Sequence, residues 1–78
     1  MASLRLFGPA RQAAGTAQAD VAGHTVAQVL AAAEALFGAE FADVVTVSRV
    51  WVNGAAATVD APVADGDEVA VIPPVSGG

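Results

Sequence analysis

The chain has no cysteine, no lysine and no tyrosine, and its only cations are Arg5, Arg11 and Arg49. Each absence excludes something. Without cysteine there is no disulfide framework and no thiolate metal site, and apart from Met1 the chain carries no sulfur of its own. Three arginines against eight acids give a formal net charge of −5. No basic face is then available to neutralise phosphates, and nucleic acid is not expected as a partner. Without lysine, an acyl group activated on this chain has no side-chain amine to capture it, which leaves only the N-terminal amine. The longest apolar stretch, Val26 to Phe37, is interrupted by Gln28 and Glu34 and is too short to span a bilayer. The opening residues lack the charged segment and apolar run of a signal peptide. No membrane partner is expected, and a cytoplasmic location follows by default.

What is present is modest. Seventy-eight residues suffice for one domain and one small core. Alanine supplies much of the apolar content, so core volume rests on Leu4, Leu6, Leu30, Leu36, Ile72, the phenylalanines, Trp51 and the valines. Stability is expected to be marginal to moderate for an unstapled domain of this size.

Ser3 to Phe7 alternates, Leu4 and Leu6 against Arg5 and Phe7, which predicts a strand. Gly8-Pro9 ends it, and Ala10 to Gly15 reads as a loop or turn. Thr16 to Val21 alternates again, so the two strands form a hairpin with a long connection. Thr25 then caps a helix, with Gln28 completing a capping box, and Val26, Val29, Leu30, Ala33, Leu36 and Phe37 make one apolar stripe ending at Gly38. Ala39 to Val44 reads as a connector. Val45 to Val52 is β-branched and reads as a strand, turned by Asn53-Gly54 in a type I′ hairpin into a weak strand over Ala55 to Val59. Asp65-Gly66-Asp67 is a second tight turn, and Glu68 to Ile72 is a last strand, expected to be central and buried on both faces. One helix between strand pairs implies an α+β architecture in which a sheet buries one face beneath that helix.

Few residues suggest chemistry. His24 has no Ser or Asp partner at motif spacing and reads as a surface loop residue rather than a base. Asp65, Asp67 and Glu68 read first as a solvated turn, and second as a docking site for basic groups. Gly-rich phosphate loops, metal constellations and nucleophile–base pairs are missing. A self-sufficient enzyme is not expected. What stands out is the end of the sequence, Pro73-Pro74-Val75-Ser76-Gly77-Gly78. Two prolines end strand pairing, and the glycines allow close approach to another surface. This end is expected to present an α-carboxylate, ionised at neutral pH because such groups titrate near about 3.5. A carboxylate is a poor electrophile; its use lies in being activated elsewhere, as an acyl-adenylate, and then attacked. A sulfur nucleophile would leave a thiocarboxylate.

The stretch from Val52-Asn53-Gly54 through Asp65-Gly66-Asp67-Glu68-Val69 to Ile72-Pro73-Pro74-Val75-Ser76-Gly77-Gly78 resembles the MoaD family, the small subunit of molybdopterin synthase. Leu6-Phe7-Gly8-Pro9-Ala10-Arg11, closing at Ala14-Gly15, is similar to that family's first strand and loop. The resemblance implies a ubiquitin-like β-grasp fold with a mixed sheet of four to five strands on one main helix. It implies a domain over residues 1–73 and a flexible tail over residues 74–78. It further implies that Gly78 is adenylated by an E1-like adenylyltransferase using ATP, although this chain binds no cofactor itself. Gly78 is then thiocarboxylated with sulfur from a donor protein. The tail, with Gly77 giving access and Pro73, Pro74, Val75 and Ser76 in contact, enters the large synthase subunit, where the sulfur helps build the dithiolene of molybdopterin. Phe7 and Ile72 fall where family members present apolar side chains to partners; core positions are the alternative. Gly8-Pro9 and Trp51 depart from the family pattern. Carriers for cysteine or thiamin-thiazole synthesis, protein modifiers joined through Gly78, and a plain interaction domain are the competing expectations.

Overall fold

Leu4, Leu6, Val69 and Val71 are buried side by side where the first and last strands of the chain run parallel. In a computed structural model that describes residues 1–74, those strands are β1 (Ala2–Leu6) and β5 (Glu68–Ile72). Between them lie α1 (Gly8–Ala14), β2 (Gln18–Val21), α2 (Val26–Phe37), α3 (Ala39–Thr46), β3 (Arg49–Val52) and β4 (Ala55–Ala56). The sheet has five strands in the order β2-β1-β5-β3-β4, parallel only between β1 and β5. This is the mixed β-grasp sheet expected from the sequence.

Strand alternation divides the sheet into two faces. Ala2, Leu4, Leu6, Val21, Val69 and Val71 point inward and meet Val26, Val29, Leu30 and Ala33 of α2 and Phe41 of α3. The helix α2 begins as its sequence predicts: Thr25 Oγ1 accepts from the Gln28 N–H at 3.2 Å. The reciprocal arm of the box lands one residue earlier than usual, with Gln28 Oε1 accepting from the His24 N–H at 2.8 Å. His24 itself is an exposed loop residue. Just before it, Gly23 lets its backbone press on the helix, since a Cβ there would come within 2.7 Å of the Val29 nitrogen.

Two segments not expected to be helical are helices, and β4 is shorter than the strand expected over Ala55 to Val59. Residues 10–14, read as a loop, belong to α1. Pro9 sits in the first turn, where its missing N–H costs nothing, and Ala10, Arg11, Gln12, Ala13 and Ala14 are good helix formers. Ala10, fully buried, anchors the helix. Residues 39–46, read as a connector followed by the start of a strand, form α3. Local β-propensity at Val44 and Val45 is overridden by packing: Phe41 is fully buried and meets Phe37 edge-on at 5.2 Å. The Ser48 hydroxyl, donating to the Val44 carbonyl at 2.7 Å, ties off the helix end.

β5 is central, as expected, but it is buried on one face only. Val69 and Val71 are covered, whereas Glu68 and Ile72 are exposed, because α2 and α3 pack on the other side of the sheet. The Asn53-Gly54 turn has positive φ at both residues, 50° and 83°, as a type I′ turn requires. At the far edge, the backbone N–H and C=O of Gln18 point away from β1. The Thr16 hydroxyl occupies both, donating to the Gln18 carbonyl at 3.0 Å and accepting from its N–H at 3.4 Å. Among the described residues, no helix is long and apolar enough to cross a membrane.

Candidate functional site

The uncovered face of the sheet is where the described residues offer a site. Its central row crosses four strands: Arg5 on β1 lies in register with Ala70 on β5, Ala70 with Trp51 on β3, and Trp51 with Ala56 on β4. Trp51 is half-buried and has an alanine on either side, so its indole forms a ridge with a depression on each flank. The first, of about 270 Å³, has Ala70 in register beside the ridge and is lined also by Phe7, Ile72, Gly54 and Glu68. The second, of about 290 Å³, lies along Ala56 and includes Arg49.

Phe7 reaches this face because β1 stops at Leu6. Phe7 is the N-cap of α1, extended at φ −129°, and its ring remains 46% exposed. Ile72, the last residue of β5, is 36% exposed. Neither is a core residue, and the fold brings the two to one depression. Scattered exposed apolar residues are ordinary; an aromatic ridge with two further large apolar side chains beside it is a candidate docking surface.

Polar groups frame the depression. Arg5 Nε and Glu68 Oε2 are 3.3 Å apart. The Asn53 N–H donates to the Glu68 carbonyl at 2.8 Å, and the Glu68 N–H donates to Asn53 Oδ1 at 2.9 Å, which locks the β3–β4 turn against the start of β5.

The acidic turn is built differently. Asp65 accepts from the Met1 ammonium at 2.8 Å, and this hydrogen bond, then the charge of that ammonium, holds its carboxyl below the usual range. Asp67 is lowered by the Ala64 N–H, which donates to its Oδ2 at 2.9 Å, and next by a hydrogen bond with Asn53. Both carboxylates are engaged within the chain, and their evident work is shaping the turn.

Pro73, directly after β5, is buried, and Pro74 is exposed. Val75, Ser76, Gly77 and Gly78, which the sequence singled out together with the expected flexible tail, lie outside the described residues. Trp51, Arg49 and Ala70 were not picked out as site residues by sequence reasoning. Their signal was in the alternation of β3 and β5: once Val50, Val52, Val69 and Val71 are assigned inward, the residues between them must share the open face.

The sequence matches the ThiS family over residues 4–78. No curated protein sequence matches it. Among solved structures, the chain is similar to the small archaeal modifier protein SAMP1 of Haloferax volcanii, at 33% identity and a TM-score of 0.83, over 99% of this chain and 98% of that one. It is similar to a putative molybdopterin converting factor subunit 1 from Pyrococcus furiosus, at 25% identity and a TM-score of 0.83, over 95% and 97% of the two chains. It shares the fold of a chain in the BexX/CysO complex of Amycolatopsis orientalis, at 22% identity and a TM-score of 0.85, over the whole of both.

Proposed function

Because the chain belongs to the ThiS family, we propose that it is a ubiquitin-like sulfur carrier acting through the carboxylate of Gly78. The observation that carries this reading is that the family match extends from residue 4 to residue 78 and takes in the Pro-Pro-Val-Ser-Gly-Gly segment. An E1-like adenylyltransferase docks on the open sheet face around Phe7, Trp51 and Ile72. A Gly78 carboxylate oxygen attacks the α-phosphorus of ATP, pyrophosphate leaves, and an acyl-adenylate forms. A persulfide on a sulfur donor protein attacks the acyl carbon and expels AMP. A thiol then cleaves the resulting acyl disulfide, leaving the thiocarboxylate on Gly78 and a disulfide on the donor. The carrier holds no cysteine that could compete for the persulfide sulfur, and no lysine that could capture the adenylate.

The recipient is the large subunit of molybdopterin synthase, where the sulfur enters a pterin precursor. The likeness to the Pyrococcus converting-factor subunit and the Asp65-Gly66-Asp67-Glu68-Val69 segment ahead of the tail support this destination. A second reading, a modifier whose Gly78 acyl group passes to a lysine of a target protein, is favoured by the 33% identity with SAMP1. The intact mass of the protein from its native cells separates the two. Replacement of one oxygen by sulfur supports the carrier, a ladder of conjugates supports the modifier, and a persistently unmodified chain removes both. Destination is then tested by supplying the thiocarboxylated chain to the large synthase subunit with the pterin precursor, and in parallel to a cysteine synthase with an activated serine. Turnover only in the second assay reassigns the sulfur to cysteine.

A further inference from the structure

The open face holds two cations in different states. Arg5 is already satisfied by Glu68 at 3.3 Å. Arg49 lies on the same face, in register with Ile72 and two residues from Trp51. It is exposed, and among the described residues no carboxylate lies within ion-pair distance of it. The acids of α2 and α3, Glu34, Glu40 and Asp43, sit on the elements that cover the opposite face.

This asymmetry constrains what can cover the face. An apolar surface of Phe7, Trp51 and Ile72 gains from being taken out of water, but a partner that covers it also desolvates Arg49. Removing a guanidinium from water without a counter-charge costs more than the apolar contact beside it returns. Lys or Arg opposite Arg49 would add repulsion. A carboxylate is the group that resolves the conflict, and the planar guanidinium can bind it through two parallel hydrogen bonds. The Trp51 ridge gives the two contacts separate places. The depression bordered by Ala70 has room for an apolar side chain, and the one along Ala56 has Arg49 in its wall.

We propose that the protein docking on this face presents an apolar side chain to the Phe7–Trp51–Ile72 depression and an Asp or Glu carboxylate to Arg49, across the Trp51 ridge. Glu68 opposes such a partner, because it neutralises Arg5 and places a negative charge at the rim. The assignment rests on the carrier function proposed for Gly78, and it gives the two rim charges opposite signs of effect.

The test uses the full chain with an E1-like adenylating enzyme, reading ATP–pyrophosphate exchange as a function of carrier concentration. Fluorescence of Trp51, the single tryptophan, reports docking independently of the chemistry. Arg49→Gln should raise KM by more than about fivefold at low ionic strength, beyond the range for one exposed ion pair because docking desolvates this one, and the gap should narrow as salt is added. Glu68→Gln should lower KM. Both side chains are exposed, so neither change removes a core contact. Exchange with KM unchanged in both variants, or with the two effects reversed, overturns the acidic-partner assignment and leaves the carrier function standing. No exchange with the unsubstituted chain removes the carrier function, and the assignment with it.

Discussion

Asn53 and Glu68 hold each other by paired hydrogen bonds: the Asn53 N–H to the Glu68 carbonyl at 2.8 Å, and the Glu68 N–H to the Asn53 side chain at 2.9 Å. One residue thus turns the β3–β4 hairpin and fixes where β5 begins. Asn53 has φ 50°, a conformation asparagine tolerates better than most residues. Asn53→Ala should therefore cost about 1–3 kcal/mol, from the lost hydrogen bond and the strained turn together. Asn53→Gly should cost less, because it restores the turn but not the bond. Urea unfolding of the three proteins tests the order. Equal losses for Ala and Gly would show that conformation contributes nothing.

Gly23 should tolerate no side chain. Its φ is 158°, and a Cβ would lie 2.7 Å from the Val29 nitrogen and 2.8 Å from Val29 Cγ2. Backbone at the start of α2 would have to move, so Gly23→Ala should destabilise by about 1–3 kcal/mol. Thermal melting is the measurement. A melting temperature equal to that of the parent would mean the helix start yields freely.

Acid should weaken the turn at residues 64–67. Asp65 and Asp67 both have carboxyls lowered from 3.8 in the folded chain. Where the unfolded chain holds the proton more tightly, stability is present above the unfolded value and is lost as pH falls through the folded one. Stability should thus decline from about pH 4 downward. The double substitution Asp65→Asn with Asp67→Asn should flatten the decline, measured as melting temperature against pH. The same slope in both proteins would locate acid sensitivity elsewhere.

Docking should depend on the open face rather than on the acidic turn. Phe7→Arg places a charge in the apolar depression and should weaken binding to the E1-like partner at least about tenfold, as expected for a central apolar contact. Asp67→Asn should change binding by less than about threefold, as for a peripheral charge. Isothermal titration of both variants decides between them, and the reverse order would move the contact to the turn.

Gly77 should be needed for access to the activating or receiving site. A narrow passage that admits bare backbone would clash with a branched Cβ. Gly77→Val should keep the parent melting curve and lose thiocarboxylate formation or transfer, followed by intact mass. Normal transfer by this variant would exclude a tight passage.

Much of this was legible in the sequence, for identifiable reasons. Helix α2 carries its signals locally: the Thr25 cap, the buried stripe of Val26, Val29, Leu30 and Ala33, and the closing Gly38, although Leu36, expected in that stripe, is exposed. The Asn53-Gly54 turn is similarly self-contained. Helix α3 was not legible, because Val44 and Val45 favour strand until Phe41 meets Phe37, a contact between helices. Helix α1 was hidden by Gly8-Pro9, which marks a strand end and a helix start equally well. At the site, Phe7 and Ile72 were visible by resemblance. Trp51 and Arg49 needed the register of β3 against β5, which no single strand reveals.

The hydroxyl of Thr16 has a consequence beyond its own strand. An outer strand with free amide groups is a template on which another copy of the chain can add a strand, and repeated addition is a route to aggregates. By occupying both groups of Gln18, Thr16 removes one of the two outward-facing backbone pairs of β2, and the charge of Asp20 marks the other. For a small domain with a thin core, a less available edge at β2 leaves the flat of the sheet, with Phe7, Trp51 and Ile72, as the larger surface open to other proteins.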